Sequence, residues 1–382
     1  LTLRRLIYSI FSVIALLMLM LTPTIAQAPQ DAEPIFLWVR GDLWQFDPLT
    51  LAMPPVQITT LGTISAPSLS PDSTHIAYKA AAQVGLDALD RVQTDGLIAD
   101  FDLPADIYLY EIATGETTQL AAQPDNASLL VEGAADTALI RSAPAWSPNF
   151  IALAWVEFAF GATQAQLVIY ELGVGVSGAI PLDSSLPITG YPPRVAWGSG
   201  GIMVWITGAD GATLFNFYDG SDGVLIARQF VPPSESVIEE AVWVEQGGES
   251  FPALLYSSGE WALFDELDAA PITTALLPQR TAQRLPDISF ALAFGRLDDT
   301  GFFWEAFDPM QPDAASVAFP GAPSRVTLSP SGRAIAFLGF PAFGAAALYR
   351  DSELIAIPGT GSAVDELNVG AILWGATYWR VG

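Results

Sequence analysis

The phrase Ser70-Pro71-Asp72-Ser73-Thr74-His75-Ile76-Ala77-Tyr78 returns near the other end of the chain as Ser329-Pro330-Ser331-Gly332-Arg333-Ala334-Ile335-Ala336-Phe337. A weaker copy, Ser147-Pro148-Asn149-Phe150-Ile151-Ala152-Leu153-Ala154, lies between them. Each copy is a turn followed by a short apolar run. A turn-and-strand unit recurring along one chain restricts the fold to an array of similar β-units, because no single unit can bury its apolar face alone.

The rest of the chain can be laid on this frame. In the first full unit the expected strands are 66–69, 75–79, 106–112 and 117–121, with Thr114-Gly115-Glu116 as the hairpin turn between the last two. Further units are expected at 142–183, 190–231, 237–277, 286–320 and 322–359, the fifth of the six being the least regular. Trp146, Trp197, Trp243 and Trp374 end first strands at matching positions and are expected to pack between units. Equivalent turns lie about 50 residues apart, near the 40–50 of propeller blades.

The two ends complete the pattern. Residues 35–39, 42–47 and 56–59 read as the second, third and fourth strands of a unit that lacks its first. Gly370-Ala371-Ile372-Leu373-Trp374 supplies one. The fold class expected is all-β: a single β-propeller over 29–382, of about seven four-stranded blades, with the ring closed by a blade shared between the N- and C-termini. Closure removes the open edges at which sheets aggregate.

Ala66-Pro67-Ser68-Leu69-Ser70-Pro71-Asp72 with Ile76-Ala77-Tyr78, then Asp106-Ile107-Tyr108-Leu109-Tyr110 and Thr114-Gly115-Glu116, resembles the WD40-like repeat of the TolB-type propeller superfamily. The resemblance is good in the first and sixth units, fair in the second and weak elsewhere. It implies an architecture, and neither the role of TolB in outer-membrane assembly nor the activity of peptidases with similar propellers comes with it.

The N-terminus reads as an export signal over residues 1–28. Arg4 and Arg5 precede an apolar run from Ile7 to Leu21, and Ala26-Gln27-Ala28 has the form of a cleavage site. An uncleaved anchor is the competing reading. The expected destination is a periplasm, the cell surface or the medium. The chain has no Cys, so its stability must come from a core, which 382 residues can build. The net charge of −26 repels phosphate backbones and disfavours nucleic acid and anionic membrane surfaces as partners.

Catalytic motifs are scarce. There is one His, His75, and with no Cys it cannot make a zinc site. No G-x-S-x-G, H-E-x-x-H or P-loop motif occurs. Topology is more informative. In an up-and-down blade, loops joining strands two to three and four to one emerge on the same face. The two large insertions, 80–105 and 123–141, are of these two kinds and are neighbours. Long loops in compact domains are usually functional or disordered.

Asp87, Asp90, Asp95, Asp100 and Asp102 crowd the first insertion. They are candidate binding residues; no cofactor is expected, although such an oxygen-rich loop could hold Ca²⁺. Phe158 and Phe160, and Phe340 and Phe343, fall in equivalent loops of the second and sixth units and are candidate anchors for a partner. Folding over the blade tops to cap the core is the alternative role for these rings. The expected function is therefore that of an exported, non-catalytic platform for a protein or cell-envelope ligand. A secreted glycan-acting hydrolase using carboxylates at the channel mouth is the alternative.

Overall fold

The computed structural model describes residues 34–94, 103–159, 162, 164–182, 193–208, 210–234, 236–246, 249–257, 260–265, 273–276, 281–285, 288–298, 301–307, 317–320, 325–329, 334–338, 344–350 and 353–374. The expected leader lies outside them.

Among the described residues the strands form seven antiparallel sheets. The first joins both ends of the chain: Val369–Leu373 pairs with Ile35–Val39, followed by Asp42–Phe46 and Val56–Gln57. The second is Ile64–Leu69, His75–Ala81, Ala105–Glu111 and Thr117–Ala121. In the third the first strand is broken into Leu139–Arg141 and Ala145–Trp146, both paired with Ala152–Ala159; Ala165–Glu171 and Gly175–Leu182 follow. The fourth is Arg194–Gly198, Gly201–Thr207, Thr213–Tyr218 and Leu225–Val231. The fifth runs from Ile238–Gln246 to Thr273–Leu276, the sixth from Thr281–Leu285 to Val317–Pro320, and the seventh from Arg325–Leu328 to Glu353–Ala356. The sixth sheet thus starts five residues before the expected unit at 286.

In each of the first four sheets the last strand is the most exposed. Gly201–Thr207 and Thr213–Tyr218 are buried throughout, whereas Leu225–Val231 alternates between exposed and half-buried. The core lies between sheets. Ile140, Ala154 and Leu167 of the third sheet share a cluster with Ile202, Val204 and Ile206 of the fourth. Ile35, Leu37 and Trp374 of the first share one with Ala334, Ala336 and Leu348 of the seventh. Other clusters join the first sheet to the second, the second to the third and the fourth to the fifth. Ile238–Gln246 lies against Ile288–Asp298, and Thr281–Leu285 against Arg325–Leu328. Each sheet therefore packs on the next.

The repeated Ser has a physical role. Ser70, Ser147 and Ser329 are buried. Each donates its backbone N–H to the carbonyl five residues on, in His75 (2.8 Å), Ala152 (2.9 Å) and Ala334 (2.8 Å). Each hydroxyl accepts the backbone N–H of that same residue, at 2.9, 2.9 and 3.1 Å. The motif closes the turn between the first and second strands with every buried polar group paired. The fourth sheet uses another device: its turn, Gly198-Ser199-Gly200, is bare of bulky side chains, and Trp243 of the fifth sheet lies on it. A Cβ on Gly200 would come within 2.6 Å of that indole.

The Trp residues join sheets as expected. Trp146 Nε1 donates to Ser68 O at 3.1 Å, and Trp38 Nε1 to Ile64 O at 2.7 Å. Between the seventh sheet and the first, Thr327 Oγ1 donates to Trp374 O at 3.0 Å.

Candidate functional site

The two insertions meet. The first is not a bare loop: it carries the helix α1, Gln83–Thr94. Val84 and Ala88, one helical turn apart, face Leu129 and Ala138 of the second insertion, with Ala127 and Leu130 around them, in a small apolar cluster of their own. The second insertion is shaped by its own hydrogen bonds. Ser128 O accepts the N–H groups of Thr137 and Ala138 (2.9 and 3.0 Å), and Asp136 Oδ1 accepts the Leu130 N–H at 2.6 Å. Its tip presents Val131, 49% exposed.

Beneath this cap lies a buried charged cluster that the sequence reading missed. Arg141 is 2% exposed, at the end of the short strand Leu139–Arg141. Its Nε donates to Glu157 Oε2 at 2.9 Å, Nη1 to Ala105 O at 2.7 Å and Nη2 to Ala122 O at 2.8 Å. Asp106 Oδ1 is 3.5 Å from Nη1. Glu157 also accepts Gln166 Nε2 at 2.7 Å, and the buried Lys79 donates to Arg141 O at 3.1 Å. Burial pushes the Asp106 carboxyl above its ordinary range, and the Arg141 guanidinium pulls in the opposite direction. The cluster ties both insertions, through Ala105 and Ala122, to the second and third sheets. A charged residue inside an otherwise apolar run, as at Lys79 and Glu157, was the available signal.

Asp87 is exposed on α1, where its Oδ1 accepts Gln83 Nε2 at 2.6 Å. Asp90 lies on the same helix. Asp95, Asp100, Asp102, Phe160, Phe340 and Phe343 lie outside the described residues. Phe158 is corrected. It is not a loop residue but part of strand Ala152–Ala159, 4% exposed in the core between the third and fourth sheets, because the apolar strand runs on through Ala159. It has no ring to offer a partner. Among the described residues no group of three or more His, Cys, Asp or Glu is placed to hold a metal ion. Arg194 Nη1 lies 3.4 Å from Glu240 Oε1, linking the first strands of the fourth and fifth sheets on the insertion side.

No family model and no curated protein sequence matches the chain. Solved structures do. The chain is similar to a prolyl endopeptidase at 14% identity, covering 85% of this chain and 49% of that one, with a TM-score of 0.50. It thus spans about half of that enzyme's length. It is also similar to a candidate 6-phosphogluconolactonase of Bacteroides uniformis, at 11% identity, with 90% of this chain and 99% of that one covered and a TM-score of 0.50. The Dos1 propeller matches at 13% identity over 77% of this chain and 72% of that one, with a TM-score of 0.46. At such identities likeness speaks to the fold alone. With the succession of four-stranded antiparallel sheets, each packed on the next, it makes this chain a β-propeller.

Proposed function

We propose that the seven sheets are blades of one ring, closed by the sheet shared between the chain's ends, and that the ring is an exported, non-catalytic platform for a protein or cell-envelope ligand. The observation that carries this reading is the joined pair of insertions. They add a helix and a folded loop to one face, and a buried guanidinium fixes both to the blades. Rigid presentation of loops is how scaffolds of this kind gain affinity, because little ordering remains for the moment of binding. The turn-and-strand repeat is similar to that of the TolB-type superfamily, which fits an extracytoplasmic setting. Residues 1–28 would direct export. The strongly acidic surface favours a cationic or neutral partner over nucleic acid.

The test is capture from a cell-envelope fraction with the chain after residue 28. Asp87→Lys combined with Val131→Lys changes two exposed side chains of the insertion face without touching the buried cluster. It should abolish capture, or weaken it at least tenfold. Val176→Lys, on an outer strand, should leave capture unchanged. Equal capture by all three forms would sink the proposed face.

A further inference from the structure

The opposite edge of the ring holds a cleft of about 380 Å³ between the third and fourth sheets. Its wall comes from the turn after Trp146, the glycine turn at Gly198–Gly201, the turn at Asp219–Ser221, and Ile226 on an outer strand. The volume is within the range of small-ligand sites.

The chemistry of the wall is specific. Trp197 is 5% exposed and lines the cleft, and its indole N–H finds no acceptor among the described residues. A Cβ on Gly220 would lie 2.8 Å from that nitrogen, so glycine at 220 is what leaves the donor open. Asp219 Oδ1 accepts both the N–H and the hydroxyl of Ser221, which hold its carboxyl below the ordinary range, so it is an ionised acceptor at neutral pH. Asn149 supplies an amide from the third sheet, donor and acceptor together. Ile226, 61% exposed, gives one apolar side.

These features disfavour two ligand classes. A carboxylate in the wall repels anions. A single carboxylate falls short of the oxygen ligands that Ca²⁺ requires. Mixed donors and acceptors around one apolar side chain match a ring that carries hydroxyls on its edge and C–H groups on its face.

We infer that this cleft binds a neutral saccharide unit, held by the Trp197 indole N–H, the Asn149 amide and the Asp219 carboxylate, with its C–H face on Ile226. The site is independent of the platform reading and lies on the other face.

The test titrates the chain after residue 28 with glucose, N-acetylglucosamine and the disaccharide cellobiose, by saturation-transfer NMR and calorimetry. Glucuronate is the anionic control. At least one neutral sugar should bind saturably, in the millimolar range typical of few-contact sites, about tenfold more tightly than glucuronate. Asn149→Ala, at an exposed turn, and Gly220→Ala, which covers the indole N–H, should each weaken binding roughly tenfold, as loss of one good hydrogen bond does. Trp197→Phe should do the same where circular dichroism shows the fold retained. Absence of saturable binding by every neutral sugar overturns the inference. So does binding that Asn149→Ala and Gly220→Ala both leave unchanged.

Discussion

Arg141→Ala should destabilise the protein by about 3–5 kcal/mol, the range for removing one partner of a buried ion pair. The loss exceeds that of the visible contacts because of what is left behind. Glu157 and Asp106 would remain mostly buried as carboxylates, and two backbone carbonyls, Ala105 O and Ala122 O, would lose their donor. Arg141→Lys should recover only part of the loss, since an ammonium cannot fork between Glu157, Ala105 and Ala122. Converting the carboxylates as well, in Arg141→Met with Glu157→Gln and Asp106→Asn, should recover more, because neither carboxylate would stay buried without its cation.

The pH dependence follows from the Asp106 carboxyl. Its folded pKa is raised, so the folded state holds that proton more tightly than the unfolded one, and stability falls as pH rises from the ordinary Asp value through the folded value. Removing Arg141 takes away a cation that lowers it, and the window widens upward. The deficit of Arg141→Ala should therefore be largest near neutrality and shrink on acidification. Urea unfolding at pH 7 and pH 5 checks both points; a deficit below about 1 kcal/mol, or one that grows in acid, would contradict the role given to the cluster.

Gly41→Ala should cost far more than Gly62→Ala. Arg40 and Gly41, at φ 52° and 86°, form the tight turn between Ile35–Val39 and Asp42–Phe46. The Gly41 carbonyl accepts the Ile64 N–H of the next blade at 2.8 Å. A Cβ here would press into the Gly62 carbonyl and lie 2.8 Å from Thr63 N. Those atoms are backbone and cannot rotate away. Strained φ contributes roughly 1–3 kcal/mol and overpacking about as much again. Gly62→Ala is the control: it too has positive φ, 67°, but nothing within 4 Å of its Cβ, so only the first contribution applies. Equal losses in the two variants by chemical denaturation would mean that the seam between these blades does not pack as described.

Much of this architecture was legible in the sequence because a blade is built from local signals. Strands 35–39 and 117–121 lie where alternation and turn residues put them. The Ser-Pro phrase marked the turn because a buried Ser is needed to pair both polar groups of the residue five positions on. The sixth sheet was placed late because Thr281–Leu285, with Gln283 and Arg284, does not read as an apolar first strand. The helix in the first insertion was missed for a similar reason. Its apolar spacing at Val84, Ala88 and Val92 is interrupted by Gly85, and the surrounding aspartates suggested a loop. Lys79 and Glu157 stand out within apolar runs, but their partners do not, since Lys79, Asp106, Arg141 and Glu157 sit on four strands and only folding brings them together. The proposed saccharide cleft is hidden for the same reason: Trp197 lies on a strand and Asn149 and Asp219 on two turns, and each reads as ordinary local structure.

The platform reading depends on a closed ring, and closure can be tested covalently because the chain has no Cys. Leu37 and Ile372 are cross-strand partners in the shared sheet, 335 positions apart in sequence. Such partners lie at Cα separations that a disulfide accepts. In the Leu37→Cys, Ile372→Cys double variant, mild oxidation of the folded protein should give an intramolecular disulfide, seen as a reductant-sensitive change in gel mobility that neither single variant shows. If the folded double variant yields only free thiols or intermolecular dimers, the two ends do not share a blade and the closed ring is wrong.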